Sequence, residues 1–278
     1  MEEYEKIDNA VKSLRPYFKK PPEIGIILGT GLGQLAEKIN KENTIPYKDI
    51  PDFPLSTVET HTGRLIFGTL AGKQIVAMQG RFHFYEGYSM AQITFPVRVM
   101  KALGASTLIV SNACGGLNPS FSKGDVMVIM DHINLLGTNP LIGKNDERLG
   151  PRFPDMSEPY CRKLIKLAGE AAAELSYPLR QGVYACMSGP SLETAAEYRF
   201  LQIIKADVIG MSTVPEVIVA VHSGLKVLGL SVITDLCQPD NLTPVNIQEI
   251  IETAEKAESK LVAIIERTIE KIAENTDL

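Results

Sequence analysis

Within Met78-Gln-Gly-Arg-Phe-His-Phe-Tyr-Glu-Gly-Tyr88, the polar residues Arg81, His83 and Tyr85 alternate with Phe82 and Phe84. In an extended segment successive side chains point to opposite faces, so this spacing predicts one polar face carrying the three, with the two Phe anchoring the other. A guanidinium fork matches phosphate or carboxylate, an imidazole donates from either ring nitrogen, and a phenol adds a flat apolar face with a hydroxyl. The implied ligand is an anion attached to a planar or sugar-like group. The alternative is a polar loop held by two buried Phe.

Further polar clusters follow apolar runs. Gly29-Thr-Gly-Leu-Gly33 links an expected strand at 24–28 to an expected helix at 32–39. A strand, a glycine turn and a helix start present backbone N–H groups to an anion, with Thr30 adding a hydroxyl. The turn lacks the ending of a Walker loop and its third glycine comes early for a dinucleotide fingerprint, so a tight structural turn fits equally well. His61 lies in a turn of a hairpin that delivers its last strand into Arg81, which makes it a second anion ligand or a solvated turn residue. Ser111-Asn-Ala-Cys-Gly-Gly-Leu-Asn-Pro119 places paired glycines after a strand, allowing close approach of a ligand to backbone. Glu193, in Ser188-Gly-Pro-Ser-Leu-Glu-Thr194, stands at a strand end where it can read a ligand edge or simply favour a helix start. Ser212 faces another strand end, and Asp235 closes the last strong strand. His132 and His222 read as structural, hydrogen-bonded at a strand end and a helix end.

The elements that must position these residues alternate along the chain. Strands are expected at 57–59, 64–70, 74–79, 107–110, 126–130, 180–187, around 208, and at 227–234. Helices are expected at 2–18, 90–103, 157–175 with Ser157 as N-cap, 195–204, 217–223 and 246–274. Strand–helix alternation with a polar cluster at each strand end predicts an α/β fold, a central mixed sheet flanked by helices, in a single domain over 1–278, with the ligand at the strands' C-terminal edge. The long loop 136–155, rich in Gly, Pro and charge, is of the kind that is functional or interfacial.

The 278 residues are 45% hydrophobic and 22% charged with a net charge of −5, and no Lys/Arg run occurs, which argues against nucleic-acid binding. An anion must therefore be held locally. Cys114, Cys161, Cys186 and Cys237 are widely spaced, with no metal-ligand pattern, so reduced thiols and a cytoplasmic setting are expected, with no bound metal. The acidic N-terminal segment has no apolar leader and the apolar run 217–233 is interrupted by polar residues, so neither a secretory signal nor a membrane span is expected.

Taken together, six segments resemble the trimeric, low-molecular-mass purine nucleoside phosphorylases: Gly29–Gly33, His61-Thr-Gly-Arg-Leu65, Gln79–Tyr88, Ser111–Pro119, Gly189-Pro-Ser-Leu-Glu-Thr194 and Gly210-Met-Ser-Thr-Val-Pro-Glu216. The resemblance covers nearly the whole chain. It implies reversible phosphorolysis of a purine nucleoside to free base and ribose 1-phosphate, with phosphate as co-substrate, no metal or organic cofactor, and a homotrimer. By position it assigns Thr30, His61, Arg81, Phe82, His83, Ala113 and Ser212 to phosphate. It assigns Tyr85 and Met211 to ribose, and Glu193, Asp235 and Leu192 to the purine, with His83, Glu193 and Asp235 as the catalytic group. Phe153 matches an aromatic residue that, in this family, closes the neighbouring subunit's site.

The chain also departs from the family pattern. Asp235 stands where most relatives carry Asn. An ionised Asp accepts only and suits a 6-amino group, whereas Glu193 suits the N1–H of a 6-oxopurine. An Asp protonated by burial reconciles the two, which predicts a 6-oxopurine enzyme that tolerates adenosine. Leu192 replaces Phe against the base, and Ile247 falls where some relatives carry a His at the sugar 5′ position. An apolar 5′ pocket keeps 5′-methylthioadenosine phosphorylase as the alternative; a non-catalytic nucleoside binder or a Rossmann-type oxidoreductase is the competing class.

Overall fold

The computed structural model describes residues 2–29, 33–55 and 62–274. Among them nine strands form one mixed sheet: β1 (Ile24–Leu28), β2 (Asn40–Pro46), β3 (Arg64–Leu70), β4 (Lys73–Gln79), β5 (Thr107–Gly116), β6 (Val126–Asn134), β7 (Leu179–Cys186), β8 (Val208–Gly210) and β9 (Lys226–Leu236). Their order is β2-β3-β4-β1-β5-β8-β7-β6-β9. β9 also returns to pair with β5 in parallel, so β5, β8, β7, β6 and β9 close into a ring and the sheet runs out from it as β1, β4, β3 and β2. β1 is buried at all five positions and runs parallel to both β4 and β5, as a continuous apolar run demands.

Seven helices flank this sheet among the described residues: α1 (Glu3–Leu14), α2 (Leu35–Lys38), α3 (Met90–Leu103), α4 (Arg162–Glu174), α5 (Ala195–Ile203), α6 (Val214–His222) and α7 (Ile247–Glu274). Their starts are set by local chemistry. Ser89 and Thr194 each accept a hydrogen bond from the backbone of the third helical residue and receive the reciprocal carboxylate or amide, closing capping boxes on α3 and α5. α7 buries Ala254, Leu261, Ile265, Ile269 and Ile272 along one stripe.

The α/β class and the mixed, helix-flanked sheet agree with the sequence expectation; several boundaries do not. β5 runs to Gly116 rather than stopping at 110, because its ladder with β9 continues past Ser111. β2 was not foreseen: six of its seven residues are exposed or polar-faced, leaving no apolar alternation to read. α4 begins at Arg162 and not at 157, because Glu158 precedes Pro159 and is steered away from helical geometry. Ser157 instead hydrogen-bonds Asp155 through both its N–H and its hydroxyl. α2 is shorter than the expected 32–39 helix. The expected strand at 57–59, with Thr30 and His61, lies outside the described residues.

Candidate active site

The chain leaves β4 through Gly80, whose φ of +106° turns it sharply toward the sheet edge. Arg81 is then 1% exposed. Its Nε donates to Glu216 Oε1 at 3.1 Å, and its Nη1 donates to the Ser111 carbonyl at 2.8 Å and to Ser212 Oγ at 3.2 Å. A cation so held is fixed in direction before any ligand arrives, which lowers the reorganisation needed to bind an anion.

Ser212 owes its place to an unusual turn. Thr213 has φ +73° and ψ −52°, and Val214 N–H donates to the Ser212 carbonyl at 2.8 Å, which together make a γ-turn of the rare hand. For a β-branched residue this backbone is strained. Asn112 Nδ2 holds it by donating to Thr213 Oγ1 at 2.9 Å. β5 therefore fixes both Arg81 and the turn that carries Ser212.

His83 is also nearly buried. Its Nδ1 lies 2.9 Å from Glu86 Oε1, which also accepts the His83 backbone N–H at 2.7 Å. An ionised carboxylate only accepts, so this contact makes Nδ1 the donor and leaves Nε2 as the nitrogen whose role changes with protonation. The alternation read from the sequence holds from Arg81 to His83 and then fails. Residues 84–86 form a short 3₁₀ turn, which folds Tyr85 back to stack on His83 with ring centroids 4.7 Å apart. Burial, with Glu86 adding to it, pushes the Tyr85 phenol up to about 12, so it stays neutral.

The opposite end is built by a bulge. Along β9, Ile233 pairs with Cys114 and Asp235 with Gly115, so Thr234 is the extra residue and the chain is re-aimed there. Thr234 Oγ1 donates to Asp235 Oδ1 at 2.9 Å and Cys237 Sγ donates to Asp235 Oδ2 at 3.3 Å. Gly115 makes the room: a Cβ there would stand 2.5 Å from Cys237 Sγ and 3.3 Å from Asp235 Oδ2. Glu193 lies between β7 and α5, half-buried. Burial raises its carboxyl above the usual range, Glu197 and Asp235 adding negative charge nearby, while a hydrogen bond from Tyr198 opposes the rise.

These parts meet in one cavity of about 270 Å³. Arg81, His83, Tyr85, Ala113, Leu192, Glu193, Met211, Ser212 and Asp235 all line it, with Ile247 and Ile250 of α7 on another wall. Phe82 does not, nor does Phe153, which was expected at a neighbouring subunit's site. The Phe82 side chain is 1% exposed and packs on Tyr47 and Tyr88 at 5.2 and 5.8 Å, so only its backbone is left for any phosphate contact. Phe153 is 87% exposed and borders a different cavity with His132, Arg152 and Met156. His132 and His222 are structural as expected: their Nδ1 atoms contact Tyr160 Oη at 3.1 Å and Arg98 Nη1 at 3.2 Å. Burial lowers both imidazoles below their ordinary range.

Sequence reading missed the residues that hold the ligand-facing ones: Glu86, Asn112, Thr213, Glu216, Tyr198 and Cys237. Glu86, Asn112, Thr213 and Glu216 sit inside segments already singled out. Glu216 meets Arg81 across 135 positions of chain, and no local pattern announces such a pair.

The sequence profile described as the phosphorylase superfamily matches residues 23–270. Purine nucleoside phosphorylase 1 of Geobacillus stearothermophilus is 51% identical over 97% of this chain and 98% of its own. The purine nucleoside phosphorylase of Rattus norvegicus is 47% identical over 97% and 96%. Among solved structures, isoform 2 of the Schistosoma mansoni enzyme, in complex with cytosine and ribose-1-phosphate, superposes with a TM-score of 0.93 at 42% identity, covering 97% of each chain. A Schistosoma mansoni purine nucleoside phosphorylase in complex with inosine gives 0.91 at 43% identity over 96% of each. With its sheet, its cavity and these relatives in accord over nearly its full length, the chain belongs to the phosphorylase superfamily, among the purine nucleoside phosphorylases.

Proposed function

We propose that this enzyme catalyses reversible phosphorolysis of purine ribo- and 2′-deoxyribonucleosides to free base and (deoxy)ribose 1-phosphate, favouring 6-oxopurines and tolerating adenosine. The observation that carries the reading is that a fixed cationic end, Arg81 with His83 and Ser212, and a pair of carboxylates, Glu193 and Asp235, line the same 270 Å³ cavity. One end suits phosphate and the other a base with N–H edges. Ribose then lies between them, against Tyr85 and Met211, with Thr30 and His61 completing the phosphate set.

The chemistry follows from that division. The glycosidic bond opens through an oxocarbenium-like sugar, and a phosphate dianion held below the ring both stabilises the cation and attacks it. The base departs with negative charge unless N7 gains a proton. Hydrogen bonds from or through Asp235 and Glu193 that tighten as this charge develops act on the transition state selectively. Removing one such contact typically costs on the order of 10² to 10³ in rate.

Inorganic phosphate is the co-substrate, and no cofactor step is needed. The proposed assembly is a homotrimer in which Phe153, whose side chain stands 87% exposed, covers a neighbouring subunit's site. A cytoplasmic setting agrees with four free cysteines, and no described helix is long and apolar enough to cross a membrane. Ile247 gives one wall of the cavity an apolar side chain, the feature that 5′-methylthioadenosine would exploit; the relatives' names favour the purine nucleoside reading. Chromatography of base released from inosine, guanosine, adenosine and 5′-methylthioadenosine, with and without phosphate, tests it. Phosphate-dependent release with inosine or guanosine first is expected; phosphate-independent release means a hydrolase and removes the roles given to Arg81 and His83.

A further inference from the structure

Behind the base end, two donors connect the two carboxylates. Cys237 Sγ donates to Asp235 Oδ2 at 3.3 Å. The Tyr198 hydroxyl faces the Glu193 carboxylate, to which its hydrogen is directed, and its oxygen neighbours the Cys237 sulfur. Both side chains are nearly fully enclosed, Tyr198 at 4% and Cys237 at 3% exposed, and both border the cavity. Each is anchored. Cys237 N–H donates to the Gly116 carbonyl at 2.8 Å, and the Tyr198 ring sits in an apolar cluster with Leu117, Leu201 and Ile209.

We propose that Tyr198 and Cys237 are positioning residues that set base specificity: each gives its single hydrogen to one carboxylate and so fixes that carboxylate as an acceptor toward the purine. The inference rests on the phosphorolysis reading and deepens it. Asp235 receives Thr234 on Oδ1 and Cys237 on Oδ2, so both oxygens are committed to accepting. Such a group takes a hydrogen from N7–H or from a 6-amino group and gives none to a 6-oxo group. Glu193, with one donor from Tyr198, accepts the N1–H that only a 6-oxopurine offers. The two ends thus favour different purines, and tolerance of both is a property of the linked pair. This answers the conflict between Glu193 and Asp235 without requiring a proton on Asp235.

The two links make opposite predictions. In C237V the volume is nearly kept but Oδ2 loses its donor, so Asp235 is no longer held in the orientation in which it accepts from a 6-amino group. kcat/KM for adenosine is expected to fall about tenfold while inosine stays within about threefold. In Y198F, Glu193 loses its donor and inosine falls about tenfold while adenosine is spared. C237S keeps a donor at the same place and restores the wild-type ratio. The wild type is assayed first on inosine with and without phosphate, so failure of the phosphorolysis reading shows there, independently of the variants. Parallel losses on both nucleosides, an unchanged ratio in C237V, or a ratio in C237S that moves as far as in C237V overturns the proposal. A wild type with no measurable adenosine turnover does so too, because Asp235 would then not be serving as an acceptor for a 6-amino group.

Discussion

Replacing Glu258 by Gln should make the protein more stable at pH 8, and much less so at pH 5. Glu258 projects from α7, is 2% exposed, and its carboxylate accepts the backbone N–H groups of Gln34 and Leu35 where the chain enters α2. Burial raises its carboxyl from an ordinary 4.5 to about 7, with Glu255 adding to the rise and the two backbone hydrogen bonds opposing it. The sign follows from linkage. Between those values the folded state holds a proton that the unfolded state has released, so stability is full below the unfolded value and is lost as pH rises through the folded one. The gap is worth on the order of 3 kcal/mol as an upper bound, because residual hydration of the carboxylate reduces it. Gln keeps an acceptor for the two amides and cannot ionise. Thermal unfolding of both proteins from pH 5 to 8 should show the variant gaining about 1 to 3 kcal/mol at the alkaline end, about 2 to 6 °C in Tm for a chain of this size. Other groups titrate in both proteins and cancel in the difference. A constant Tm difference across the range, or a variant less stable at pH 8, would refute the reasoning.

Three further outcomes are expected. Glu86→Gln removes the negative charge beside His83 Nδ1 and lets the amide turn its NH2 toward the ring, so His83 is held less firmly and the KM for phosphate should rise about tenfold with the nucleoside KM little changed, read from initial rates. Gly115→Ala places a methyl 2.5 Å from Cys237 Sγ. Overpacking there should cost about 1 to 3 kcal/mol in urea unfolding and displace Asp235, with a larger loss in kcat than in KM. Asp235→Asn supplies an amide that can donate to a 6-oxo group, and the ratio of kcat/KM for inosine over adenosine should rise about tenfold; a ratio that does not move toward inosine removes Asp235 as a reader of position 6.

Much of the site was legible because its ligand-facing residues lie in short segments at strand ends. Arg81, His83, Glu193, Ser212 and Asp235 each follow an apolar run that could only be a strand, and they do line one cavity. What was not legible was the route and the support. The Phe82 ring packs beside Tyr47 and Tyr88, as the anchoring face of the alternation implies, which leaves its backbone for the phosphate role assigned by resemblance. Tyr85 reaches the cavity as expected, but through a 3₁₀ turn and not through period-two alternation. The bulge at Thr234 and the positive φ of Thr213 carry no signal in residue type, since a β-branched residue is an unexpected occupant of that backbone. β2 was invisible because an outermost strand with polar residues shows no hydrophobic period.

One strand accounts for why these scattered pieces meet. Along β5, the Ser111 carbonyl accepts from Arg81, Asn112 braces the strained turn at Thr213, and Ala113 lines the cavity between. The Cys114 carbonyl then shares the Thr234 hydroxyl hydrogen with Asp235, at 3.2 Å, and Gly115 leaves space for Asp235 and Cys237. Successive residues of β5 therefore serve first the proposed phosphate end and then the proposed base end. Four steps of about 3.3 Å put about 13 Å between Ser111 and Gly115. Closure of the ring makes this possible, because β5 pairs along one edge with β1 and then β8 and along its other edge with β9, bringing Arg81, Ser212 and Asp235 to the same strand from three directions. In the proposed reading, the separation between phosphate and base is consequently set by a strand buried from Thr107 to Asn112. Substrate choice can then shift through single side chains such as Asp235, Cys237 or Leu192 while the reaction geometry is kept.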